Sequence, residues 1–125
     1  MLQLMGKILI VENNTELRDF FHIFLNTHHF NVRSVVTRRE LFIEIDSFTP
    51  DLIILDAMLA REDSREICKQ IKRPCREMSI ILMSTKPKFL IGYEEFQADG
   101  VIEKPFNIND VLYKINSILA RKQSL

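Results

Sequence analysis

Three uninterrupted apolar runs punctuate the chain: KILIV at Lys7 to Val11, LIIL at Leu52 to Leu55, and SIILM at Ser79 to Met83. Runs this short fit strands buried on both faces, the signature of a parallel sheet covered by helices. The β-branched segment Phe30 to Val36 suits an outer strand, and Gly100 to Ile102 a very short fifth one. Between these runs the apolar residues recur at helical spacing. Leu17, Phe20, Phe21, Phe24 and Leu25 form one stripe, with Asn13 and Glu16 as its expected cap. Leu41, Ile45 and Phe48 form a second, opened by a Thr37/Glu40 capping box and stopped by Pro50. After a loop over Ala57 to Glu62, a third helix opened by Asp63 or Ser64 turns Ile67 and Ile71 inward and ends before Pro74. Phe89, Tyr93 and Phe96 predict a short helix over Pro87 to Phe96, although Gly92 inside it costs about 1 kcal/mol relative to alanine. The last stripe, Val111, Leu112, Ile115, Ile118 and Leu119, is capped by Asn107 with Asp110 three residues on.

Five strands alternating with five helices, joined by right-handed crossovers, predict an α/β fold, a doubly wound (βα)5 sandwich. Its switch point lies between the first and third strands, which end at Glu12 and Asp56. Composition adds bounds. A chain of 125 residues, 46% hydrophobic and 27% charged, has the size and balance of one soluble domain, here residues 1–125 with a core over about 7–121 and tails at 1–6 and 122–125. Lys plus Arg and Asp plus Glu number 17 each, so no net charge draws the chain to nucleic acid or an anionic membrane. The basic group Lys69, Lys72, Arg73 and Arg76 reads as one solvated helix end. Cys68 and Cys75 lack a CxxC spacing and read as free thiols of a reducing compartment. With no basic leader and no apolar run of transmembrane length, a cytoplasmic location is expected.

Candidate chemistry gathers at the strand ends, because open parallel sheets place their sites outside the carboxyl ends of the strands. Glu12 and Asn13, Asp56, Ser84 or Thr85, and Lys104 all fall on that edge. Each alone reads as a cap, a turn former or a surface charge. Together they are the parts needed to place a phosphoryl group on a carboxylate: Asp56 as nucleophile, a divalent cation held by neighbouring acids, a hydroxyl donor and an ammonium. Oxygen ligands with waters suit Mg²⁺.

KILIVENNTELR, PDLIILDAML, SIILMST and ADGVIEKPF, in this order and spacing, resemble the receiver domain of two-component response regulators over residues 7 to 121. The resemblance implies a five-stranded parallel sheet of order 2-1-3-4-5, with Asp56 as phosphoacceptor from a sensor kinase histidine or a phosphotransfer domain. It implies Ser84, with Thr85 beside it, and Lys104 as the phosphoryl-binding and switch residues, and a cis bond before Pro105. Mg²⁺ would be held by Glu12, Asp56 and the backbone carbonyl of Met58. A downstream output domain or protein would read the fourth and fifth strands and helices.

The sequence departs from the family pattern at several places. Two adjacent acids usually follow the first strand, whereas here Asn13 follows Glu12. A full charge about 4 Å from a divalent ion is worth several kcal/mol at most near an effective dielectric of 20, so Mg²⁺ binding is expected to be weak, with Asn13 a ligand only weakly or through water. Ala60 and Ser64 replace a usual proline and glycine, which predicts a looser or differently turned loop. Val101 stands where an aromatic switch residue is common. Lys86 and Met58 flank the approach of an attacking water, so slow self-hydrolysis of an acyl phosphate is expected, with no enzymatic turnover beyond it. A phosphatase lacks a second carboxylate at Met58, and a flavin site lacks a phosphate-cradling loop at Glu12-Asn13-Asn14. Only Ala120 to Leu125 follow the last stripe, so no direct nucleic-acid binding is expected. The alternative reading, motivated by Asn13, Ala60 and Val101, is an atypical receiver that docks a partner without taking phosphate.

Overall fold

The computed structural model describes residues 6–123, arranged as seven strands and four α-helices among those residues. Strands β1 (Gly6–Val11), β2 (Phe30–Val35), β3 (Leu52–Asp56), β6 (Ser79–Ser84) and β7 (Gly100–Glu103) form one parallel sheet in the order β2-β1-β3-β6-β7. This is the doubly wound order expected, with β1 and β3 adjacent at the switch point. Alternation along the central strands explains the continuous apolar runs. Ile8 and Ile10 pack on one face with Phe21, Leu25, Val111 and Ile115, from α1 (Thr15–Thr27) and α4 (Ile108–Gln123). Leu9 and Val11 pack on the other with Leu41, Phe48, Ile67 and Ile71, from α2 (Arg38–Phe48) and α3 (Glu66–Lys72). Each fully buried Leu or Ile contributes about 1.5–3 kcal/mol of hydrophobic stabilisation before entropy is charged against it. In β2 Asn31 and Arg33 are exposed, as an edge strand allows.

Several details differ from the expectations. Asn14, rather than Asn13, caps α1, its side chain accepting from the Leu17 amide at 3.0 Å, because the helix starts at Thr15. The region after Asp56 is a tight hairpin of β4 (Met58–Leu59) and β5 (Glu62–Asp63). Its two turn residues, Ala60 and Arg61, take positive φ angles of 48° and 69°, a left-handed conformation that costs a non-glycine residue about 1 kcal/mol or more. The loop is thus differently turned, not looser. Asp63 therefore lies in β5, and Ser64 turns inward, so neither caps α3, whose N-cap position is Arg65 with no side-chain cap bond.

Pro87 to Phe96 is not an α-helix but two 3-10 turns, Pro87–Phe89 and Tyr93–Phe96, divided at Gly92. Gly92 has a φ of 74°, a left-handed value that interrupts any helix running through it. The fourth sheet-flanking helix is therefore replaced by short turns. Lys72 does not belong to a solvated helix end: it is 9% exposed and its Nζ meets Asp99 Oδ2 at 2.7 Å. Asp99 also accepts from the Ile80 amide at 2.8 Å, which ties α3 to the start of β6. Gly6, assigned to one tail, belongs to β1, and Lys122 and Gln123, assigned to the other, belong to α4, while the remainder of those tails at 1–5 and 124–125 lies outside the described residues. The Thr37/Glu40 capping box is present. No described helix is long and apolar enough to cross a membrane.

Candidate functional site

Parallel pairing carries the ends of β1, β3, β6 and β7 to one edge, and the residues that follow each strand meet there. Glu12, just past β1, is 1% exposed, and Asp56, the last residue of β3, is 6% exposed. The Lys104 Nζ, just past β7, donates to Glu12 Oε1 and to Asp56 Oδ2, both at 2.9 Å. The remaining carboxylate oxygens have partners in the chain. The Asn13 amide donates to Glu12 Oε2 at 3.2 Å, and the Met58 amide to Asp56 Oδ1 at 2.9 Å. Two carboxylates thus share one ammonium in a buried place. Burial first, then the hydrogen bond with Asp56, push the Glu12 carboxyl up to about 7 against the opposing pull of Lys104. Burial works against the Lys104 ammonium, but its bonds to Glu12 and Asp56 outweigh it and raise its pKa.

The supporting contacts are backbone-directed. Arg18 Nη1 donates to the Glu12 carbonyl at 2.7 Å, and the buried Ser64 hydroxyl donates to the Asp56 carbonyl. Ser84, the last residue of β6, accepts from the Lys86 amide at 3.0 Å through its Oγ. The Lys104 amide donates to the Ser84 carbonyl at 2.8 Å, which fixes the end of β7 beside β6. The Lys104–Pro105 peptide is cis.

A cleft of about 130 Å³ is lined by Asp56, Met58, Ser84, Thr85, Lys86, Phe89 and Lys104. Of the residues singled out in the sequence, Asp56, Met58, Ser84, Thr85 and Lys104 line it, and Glu12 joins them through Lys104. Asn13 is exposed and lines a separate groove with Thr37, Leu59 and Ile67. Val101, in β7, is half-buried against the α2/α3 face of the core. Phe89 and Ser64 had no signal as site residues: one lay in an expected helix and the other in an expected cap. Arg18 had none either, since nothing in a helix stripe marks a side chain that reaches back to a carbonyl.

Two buried carboxylates exceed one ammonium by a single negative charge. Hard oxygen donors with one unmatched charge fit a Mg²⁺-type ion that keeps several waters. No group of three or more His, Cys, Asp or Glu side chains gathers among the described residues, so the protein side of such a site is lean.

A family model for the response regulator receiver domain matches residues 8–116. Among solved structures, NtrX from Brucella abortus superposes with a TM-score of 0.86 at 21% identity, covering 94% of this chain and 27% of that one. This chain therefore spans about a quarter of NtrX. The N-terminal domain of the nisin resistance regulator NsrR matches with a TM-score of 0.81 at 27% identity, covering 92% of this chain and 98% of that one. The BeF3-activated N-terminal receiver domain of RstA from Klebsiella pneumoniae matches with a TM-score of 0.81 at 24% identity, covering 90% of this chain and 97% of that one. With the doubly wound sheet and a family match over most of its length, this chain belongs to the response regulator receiver domain family.

Proposed function

We propose that the chain is a phosphoacceptor of a two-component relay: Asp56 takes a phosphoryl group from a sensor kinase histidine or a phosphotransfer domain. The observation that carries this reading is the single Lys104 ammonium bridging two buried carboxylates beside a cleft that also holds Ser84. An Asp56 oxygen forms the new P–O bond as the P–N bond of the phosphohistidine breaks, and the imidazole leaves with the electron pair. The Ser84 Oγ accepts from the Lys86 amide, which leaves the hydroxyl proton to donate to a phosphoryl oxygen. Lys104 would pair with another. Receiver domains generally bind Mg²⁺ at the phosphorylation site, and here Glu12, Asp56, the Met58 carbonyl and waters would hold it, where it neutralises phosphoryl charge. No turnover of an external substrate is expected.

The switched surface would lie along β6, β7 and the segments that follow them, read by an output domain or protein. Incubation with a small phosphodonor and Mg²⁺, followed by intact mass against Asp56→Asn, tests the acceptor: a gain of one phosphoryl group in the parent only is expected, and no gain rejects the reading. A second reading, a docking module that takes no phosphate, is favoured by the exposed Asn13 where a second acid would stand. Asn13→Asp is expected to tighten Mg²⁺-dependent binding of beryllofluoride, and an unchanged affinity would make Asn13 irrelevant to the cation.

A further inference from the structure

Phe89, from the first 3-10 turn, lines the carboxylate cleft together with Met58 of the hairpin. Three cations flank its ring, and two of them, the Lys86 and Lys88 Nζ, lie 6.0 and 5.3 Å from its centroid. The Arg65 guanidinium lies 5.0 Å from the Phe89 centroid and 4.7 Å from that of Phe96, so it is stacked against both turns. The same guanidinium is fixed at its other edge by Asp63 in β5, with Nη2 to Oδ2 at 2.7 Å and Nε to Oδ1 at 3.0 Å. Arg65 therefore ties the hairpin after Asp56 to the turns after Ser84, and Phe89 is the part of that tie that meets the cleft. A cleft of about 130 Å³ has room for a phosphoryl group and for water beside it, so the side chains that line it decide where that water can stand.

We propose that Phe89, pinned by Arg65, is the wall that limits water entry to Asp56 and so sets the lifetime of a phosphoryl group there. The inference rests on the phosphoacceptor reading above. In the hydrolysis it limits, a water oxygen forms the new P–O bond while the acyl P–O bond breaks. The electron pair returns to the Asp56 carboxylate, inorganic phosphate leaves, and the water's proton passes to solvent. Removing an apolar wall at that face admits the nucleophile without altering the acceptor, the hydroxyl or the ammonium.

The test is the decay of the phosphorylated mass after the donor is removed, in Mg²⁺, for the parent and four variants. Phe89→Ala is expected to shorten the half-life by about fivefold or more, because a water-excluding side chain is lost. Phe89→Leu keeps an apolar wall and should stay near the parent. Arg65→Ala frees the ring and should fall between them. Phe96→Ala removes a stacking partner that does not line the cleft and should decay like the parent. Equal decay in Phe89→Ala and the parent overturns the wall, as does acceleration by Phe96→Ala as large as that by Phe89→Ala, which would indicate general loosening of the turns. A mass gain in none of the proteins removes the phosphoacceptor reading and the wall with it, whereas loading with unchanged decay removes the wall alone.

Discussion

Two ion clusters sit at opposite ends of the sheet, one with its carboxylate partly exposed and one with both carboxylates buried, and they are built to different rules. At the amino end, Lys72 faces Asp99 one to one at 2.7 Å, and the carboxylate also takes the Ile80 amide. At the carboxyl end, Lys104 faces both Glu12 and Asp56. The first cluster is charge-balanced and joins α3 to β6, which makes it a structural tie. The second carries an unmatched negative charge in a place almost closed to water. Folding alone would not favour that arrangement, since an uncompensated buried charge costs several kcal/mol. Imbalance marks the site and balance marks the scaffold.

Removing Lys104 should give the largest effect. Lys104→Ala leaves two buried acids facing each other and is expected to lower stability by about 2–4 kcal/mol at pH 8 in urea unfolding, with a smaller loss at pH 5, where Glu12 carries a proton. A loss independent of pH would mean that Lys104 acts by packing. Neutralising one acid at each end should then give opposite signs. Asp99→Asn is expected to cost about 1–2 kcal/mol, whereas Glu12→Gln at pH 8 should gain about 1 kcal/mol in the metal-free protein. Two losses would erase the contrast.

The pH profile sharpens it further. The folded Glu12 carboxyl, at about 7 against an ordinary 4.5, holds its proton longer than the unfolded chain does. Its contribution is fully present below pH 4.5 and is lost as pH rises to about 7, so metal-free stability should decline across that window. Saturating Mg²⁺ should flatten the decline, and thermal melts at fixed ionic strength with and without the ion would reveal a flat profile in both if the imbalance is illusory. The smallest effect concerns the thiols. Cys68 is buried beside the balanced tie and pushed up to about 12 by desolvation, while Cys75 is exposed. Alkylation of the native protein should label Cys75 alone, and rapid double labelling would show that α3 opens easily.

The parallel sheet was legible because its central strands are buried on both faces, which forces unbroken apolar runs such as LIIL before Asp56. The strand-end residues were legible for the same reason, since a run that stops at an acid marks the carboxyl edge. The hairpin was not, because Ala60-Arg61 lacks the asparagine or glycine by which a turn of that kind is recognised. The aromatic spacing of Phe89, Tyr93 and Phe96 mimicked a helix stripe that Gly92 breaks. Burial of Lys72 was hidden by its three basic neighbours in sequence, because its partner Asp99 is 27 residues away. Phe89 belongs to the cleft only through a turn whose direction no periodicity encodes.

Lys104 stands 92 residues from Glu12 and 48 from Asp56 along the chain. Contacts of such range close late, after local helices and neighbouring strands have formed. During synthesis, which delivers the amino-terminal strands first, β1 and β3 can pair while their two acids still lack any base. The cleft acquires its ammonium only when β7 docks, so the contact that joins the two acids waits until the last strand of the sheet is in place.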